Sequence, residues 1–123
     1  MVIFNVTTTK TFSTMRVSDF LDGVLIYSDY WAEIKLAPAY LKALAPNAPM
    51  PFHTIDHPQY ALSITDKESG ETYEITKKSL ADGLQVFANN YPKHYENFVS
   101  EHYDATTSDV YFQCCVFGEA LYG

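Results

Sequence analysis

Arginine occurs once in this sequence, at position 16, and the 8 basic residues face 15 acidic ones, for a net charge of −7. Binding to a nucleic-acid backbone needs clustered Lys and Arg, and no cluster is present. Docking to an anionic membrane surface is excluded on the same ground. Cysteine occurs twice, at the adjacent positions Cys114 and Cys115. Neighbouring cysteines rarely bridge each other, so no disulfide framework is expected. The 5 glycines stand isolated, which leaves no Gly-rich phosphate loop. No Ser-centred nucleophile elbow occurs either. No apolar run approaches the length of a membrane span. The start, Met1 to Asn5, lacks the basic and long apolar regions of a signal peptide, so a cytoplasmic protein is expected.

What the chain does have is apolar and aromatic weight. Hydrophobic residues make up 47 % of 123 residues, with 10 Tyr and 8 Phe among them. A chain of this length buries roughly two-thirds of its unfolded surface, so one domain over 1–123 folds without metal or disulfide. Tyr carries a large apolar ring and a polar tip, which suits an interface as well as a core. An exposed aromatic surface would also favour a homodimer.

The patterning predicts an α+β fold. Val2–Val6 reads as a short strand. Val17, Phe20, Leu21, Val24 and Leu25 follow helical spacing, predicting a helix over about 14–27 capped by Ser13 or Thr14, with Gly23 as an interruption. From Tyr30 to Leu36 the period changes to two, with Tyr30, Ala32, Ile34 and Leu36 on one side and Trp31, Glu33 and Lys35 on the other. The stretch 37–58 holds five of the 6 prolines and reads as a long irregular connection with one helical turn near 39–45. Strands at 60–65 and 72–76 flank the turn Asp66 to Gly70. Thr76 caps a helix with Leu80, Leu84 and Phe87 on its apolar face, ending before Tyr91-Pro92. Residues 93–102 read as helical, and a last helix runs from Asp104 or Thr106 to Phe117, with Gly118 just beyond it. Hairpin and helices come in separate runs, which predicts a small antiparallel sheet of three or four strands with three or four helices packed on one face.

Few residues point to chemistry. His53, Asp56 and His57 stand close enough in sequence to assemble a metal site, although flanking prolines disfavour the helix that would align them. His94 and His102, about two helical turns apart, have the spacing to share a face. A reactive cysteine needs a lowered pKa and partial exposure, and nothing near Cys114 and Cys115 in sequence supplies a base. Core packing is the expected role of that pair. No catalytic residue, cofactor or metal is therefore assigned.

The stretch from Tyr103 to Gly123 resembles the C-terminal signature of small proteins of tailed bacteriophages and prophages. It carries Asp104-Ala105 and Asp109 at the helix entry, then Gln113, Phe117-Gly118-Glu119 and Tyr122-Gly123. That family also has a helix running into a G-G-x-x-Y-W segment. Here Asp22 to Trp31 keeps one Gly and the Tyr30-Trp31 pair but is longer. The resemblance implies a phage origin and a bacterial host cell; it brings no activity. Physically, Gly118 suits a left-handed cap, and Tyr122 is placed to fold back toward Tyr30-Trp31. Tyr27, Asp29, Tyr30, Trp31, Glu119 and Tyr122 form the candidate interaction surface. Small size, acidity and aromatic richness lead to the expectation of an accessory protein that binds and inhibits a host or defence factor, for example a CRISPR-type complex, through a basic surface of that partner. Binding of a small molecule or signalling nucleotide, with Tyr and Trp stacking on a base, is the alternative. A metal-dependent hydrolase built on His53, Asp56 and His57 is the second alternative.

Overall fold

The structure is a computed structural model that describes residues 10–44 and 50–123. The strand expected at Val2–Val6 and the end of the helical turn at Ala45 lie outside the described residues. In chain order the elements are α1 (Thr14–Leu21), α2 (Val24–Tyr27), β1 (Ala32–Leu36), α3 (Pro38–Leu44), β2 (Ala61–Asp66), β3 (Thr72–Thr76), α4 (Lys77–Asn90), α5 (Pro92–Val99) and α6 (Ala105–Phe117).

The single helix expected over 14–27 is two. Ser13 Oγ accepts the Arg16 amide at 3.1 Å and starts α1. The chain tightens at Asp22-Gly23, where the Asp22 amide reaches back to Asp19 O, and α2 restarts on Gly23 O. Phe20, Leu21 and Val24 still face the core across the break. The sole arginine closes a different helix. Arg16 Nη2 donates to Phe98 O and, at 3.2 Å, to Val99 O, while its guanidinium lies 4.8 Å from the Phe98 ring centroid. A cation is thereby held at the carbonyl end of α5, where the helix dipole is negative.

β1, β2 and β3 form one antiparallel sheet in sequence order, with Leu36 opposite Leu62, and Leu62 opposite Ile75. Ala32, Leu62, Ile64 and Ile75 are buried on one face, while Glu33, Lys35 and Glu74 point the other way into solvent. α4 and α6 pack along each other and against β3, which gives the one-sided helical layer that the sequence predicts. Thr76 and Ser79 form a reciprocal capping box at the start of α4. Asp104 caps α6, and Gly118 ends it at φ 79°. The core is mainly aromatic: Phe20 stacks on Phe98 at 4.3 Å and on Tyr111 at 5.4 Å. The proline-rich connection runs through successive tight turns from residue 50 to Tyr60, and it sends Phe52, Ile55 and Tyr60 into that core.

Two side-chain placements differ from the sequence pattern. Tyr30 and Trp31 precede β1 and do not share its alternation. The amides of Trp31 and Ala32 both bond to Ser28 O, and this turn swings Trp31 inward and Tyr30 outward. His94 and His102 do not share a helix face, because α5 ends at Val99. His94 Nδ1 instead lies 3.1 Å from Thr107 Oγ1.

Candidate interaction surface

The turn from Ile26 to Tyr30 projects from the body as a knuckle. Ile26, Tyr27 and Tyr30 are 75 %, 59 % and 52 % exposed, whereas Ser28 and Trp31 between and beside them are fully buried. The buried pair is held by one carboxylate. Asp109 Oδ1 accepts from Ser28 Oγ at 2.5 Å and from Trp31 Nε1 at 2.8 Å, and its Oδ2 accepts from Tyr30 Oη at 2.7 Å and Gln113 Nε2 at 3.0 Å. A buried carboxylate that meets donors on both oxygens satisfies its lone pairs and theirs together. Burial, followed by the bond to Asp109, pushes the Tyr30 phenol up to about 12. On the other flank, Lys67 Nζ binds Asp29 O at 2.6 Å and Asp29 Oδ1 at 3.2 Å, and the Lys67 amide donates to Trp31 O. An open cleft of about 250 Å³ lies beside the knuckle, lined by Tyr27, Tyr30, Ala105, Thr106, Asp109 and Gly123.

Of the residues singled out from sequence, Tyr27, Asp29 and Tyr30 therefore share one exposed turn. Trp31 is corrected: it is 0 % exposed and supports the turn from beneath, its ring 5.5 Å from Phe112, 5.1 Å from Phe117 and 5.9 Å from Tyr122. Tyr122 is half-buried on that cluster, and its hydroxyl donates to Asp66 Oδ2 at 2.8 Å. Glu119 is exposed just past the α6 cap. The stretch after α6 thus does fold back onto the Tyr30-Trp31 region. Sequence reasoning missed Asp109 and Gln113 as the residues that organise this region. In the sequence they stand only as members of the C-terminal signature, with a spacing of four on one helix that puts both on one face.

Side-chain bonds fix the start of α6 and the stretch that follows it. Asp104 Oδ1 accepts the Thr107 amide at 3.0 Å, Gln113 Oε1 accepts the amides of Leu121 and Tyr122 at 2.7 and 2.8 Å, and Asp66 receives Tyr122. The backbone bond from Thr107 holds the Asp104 carboxyl below its ordinary value. Burial alone would raise Asp66, but the bonds from Tyr122, Glu68 and Ser69 outweigh it and hold that carboxyl low. Both carboxyls bind protons more weakly in the fold than in the unfolded chain. Their contribution is therefore fully present above the unfolded value near 3.8 and is lost as pH falls through the lowered folded values. Tyr122, raised to about 12 chiefly by its bond to Asp66, has the opposite sign: its contribution is present below 10 and is lost as pH rises through 12. Urea midpoints are expected to stay level between about pH 5 and 9 and to fall on both sides. A midpoint that rises on acidification below pH 4 would contradict these assignments.

His53, Asp56 and His57 line one open cleft of about 510 Å³, but each is engaged by a different partner. His53 Nε2 lies 3.2 Å from Asp22 Oδ1, Asp56 Oδ1 is engaged by Lys77 Nζ at 2.5 Å and Thr14 Oγ1 at 3.0 Å, and His57 Nδ1 accepts the Gln59 amide at 3.0 Å. Among the described residues no three His, Cys, Asp or Glu side chains are grouped to hold a metal ion. Cys114 is buried, and burial pushes its thiol up to about 11; burial raises Cys115 as well. A rise from 9.0 to about 11 lowers the thiolate fraction at neutral pH roughly 100-fold. Native protein at pH 7.5 should accordingly react with an aromatic disulfide far more slowly than free cysteine, with fast labelling of both thiols only in denaturant. Stoichiometric labelling of folded protein within seconds would contradict the raised pKa of both thiols.

Fold and surface together define an α+β domain that presents a short, internally braced aromatic turn. No family model, no curated protein and no solved structure matches the chain. Among the described residues no helix is long and apolar enough to cross a membrane.

Proposed function

We propose that this chain acts without catalysis, as a phage-encoded accessory protein that docks its Ile26–Tyr30 knuckle on a host or anti-phage defence protein, such as a CRISPR-type complex, and inhibits it. The observation that carries this reading is the contrast within five consecutive residues: Ile26, Tyr27 and Tyr30 exposed, Ser28 fully buried and tied to Asp109. Apolar and aromatic side chains held in place before binding lose little entropy on docking, which is the property of an interface hot spot. The acidic balance of −7 steers the chain toward a basic surface, the kind of surface that handles nucleic acid. Several groups that could offer chemistry are committed to the fold: both thiols are raised by burial, and Asp66, Asp104 and Asp109 accept structural bonds.

The test is plaque formation on bacteria with an active CRISPR-type or other defence system, with and without expression of this chain. Wild type should restore plating of a targeted phage. The double variant Ile26→Asp/Tyr27→Asp should not, while retaining its circular dichroism and melting temperature, since neither side chain is buried. Equal restoration by the variant, or none by wild type against any system tried, would overturn the reading.

A further inference from the structure

The segment Gly118–Gly123 contains no regular secondary structure, yet its backbone is held in place by side chains. The Ala120 amide donates to Tyr91 Oη at 2.8 Å. Gln113 grips the next two residues from both ends of its amide: Oε1 accepts from Leu121 and Tyr122, and Nε2 donates to Tyr122 O at 3.0 Å. The same Nε2 contacts Asp109 Oδ2 at 3.0 Å and Tyr30 Oη at 3.5 Å. Gln113 is fully buried, so one side chain joins the segment to the knuckle without touching solvent.

We propose that Gln113 is a positioning residue that makes the segment a strap controlling the knuckle: docked, it fixes Tyr30 in its surface position; released, it leaves Tyr30 free and uncovers Trp31. This rests on reading the knuckle as the binding surface, but its structural half stands apart from that reading. The physical basis is the kind of bond involved. Beyond the Gly118 cap, whose amide bonds to Cys114 O, the polar hold on the segment comes from side chains, and a segment with no strand ladder or helix opens at lower free energy than the body it lies on. Its ring contacts, Tyr122 with Trp31 and with Phe117 at 5.9 Å each, are the apolar share of that hold. Among the donors to Asp109, Ser28 and Trp31 bond to Oδ1, while Tyr30 and Gln113 share Oδ2. Loss of the strap therefore reaches Tyr30 first and leaves the Trp31 indole bond in place.

The experiment uses Gln113→Met, which keeps the volume and removes the bonds, and Tyr122→Phe, which removes only the hydroxyl at the half-buried end of the strap. Amide exchange at Leu121 and Tyr122 should accelerate at least about tenfold relative to α4 and α6 amides in Gln113→Met, and less in Tyr122→Phe. In Gln113→Met the Tyr30 ring resonances should shift while the Trp31 indole N–H stays hydrogen-bonded and protected from exchange. Restoration of plaques should fall although Ile26 and Tyr27 are intact. Unchanged exchange in both variants would overturn the strap. Faster exchange with unmoved Tyr30 resonances would overturn the coupling. Both readouts come from the isolated chain, so they are decided even if plaque restoration fails for wild type. Should Gln113→Met not fold, the ring shift and exchange in Tyr122→Phe decide alone.

Discussion

Asp109→Ala is expected to lower the unfolding free energy by roughly 2–5 kcal/mol, the largest effect of any single polar substitution in the described structure. Ser28 Oγ and Trp31 Nε1 are fully buried and point at Asp109 Oδ1, so removing the carboxylate leaves both without an acceptor and out of reach of water. A buried unsatisfied donor costs about 1–3 kcal/mol each. Tyr30 is half-exposed and finds water, and Gln113 keeps Tyr122 O, so these two add little. Asp109→Asn should cost about half as much, since its carbonyl oxygen still accepts from Ser28 and Trp31 while its amide opposes Gln113 Nε2. Urea unfolding followed by the emission of Trp31, the one tryptophan in the chain, measures both. A change within about 0.5 kcal/mol for Asp109→Ala would mean that the hub does not exist as described.

Gly83→Ala is expected to destabilise by about 2 kcal/mol or more, against the helix preference for alanine. In an isolated helix the substitution would gain about 1 kcal/mol. In this fold a Cβ at position 83 would lie 2.4 Å from Cys115 Sγ, 2.7 Å from its Cα and 2.9 Å from its amide nitrogen. The sulfur can rotate away, but the backbone of α6 cannot yield without separating the two helices that form the core layer. Cys115→Ala introduced together with Gly83→Ala should thus recover only part of the loss. A double-mutant cycle by thermal unfolding reads this directly. Stabilisation by Gly83→Ala, or full recovery by Cys115→Ala, would contradict the close crossing of α4 and α6.

Local rules made most of this fold legible in the sequence, and the exceptions share one cause. The hairpin 61–76, the Thr76 cap, the stop at Tyr91-Pro92 and the left-handed Gly118 are each set by residues within one turn of one another, so propensity and spacing suffice to place them. The break at Asp22-Gly23 was flagged by the glycine itself. By contrast, the inward Trp31 depends on a turn closed by Ser28 O and on a carboxylate 78 residues away, and period-two alternation placed the ring on the wrong side. Gly83 carries no signal in the sequence, because its reason, the backbone of Cys115, lies on another element. Asp109 and Gln113 read as members of a terminal pattern. Their role as the link between knuckle and strap appears only once α6 is set beside the turn preceding β1. The exposed turn is half legible: the sequence singles out Tyr27, Asp29 and Tyr30 but not Ile26, and of the buried groups beneath them it singles out Trp31 but gives no role to Ser28, Asp109 or Gln113.

The central claim, that the Ile26–Tyr30 knuckle is a docking surface, is tested most directly by placing a photoreactive benzoylphenylalanine at Tyr27 or, as control, at Glu74 on the opposite face of the sheet, and irradiating expressing cells under phage challenge. One dominant adduct of a defence or host protein is expected from position 27 and none from position 74. The same adducts from both positions, or none from position 27 in cells where the chain restores plaques, would contradict it.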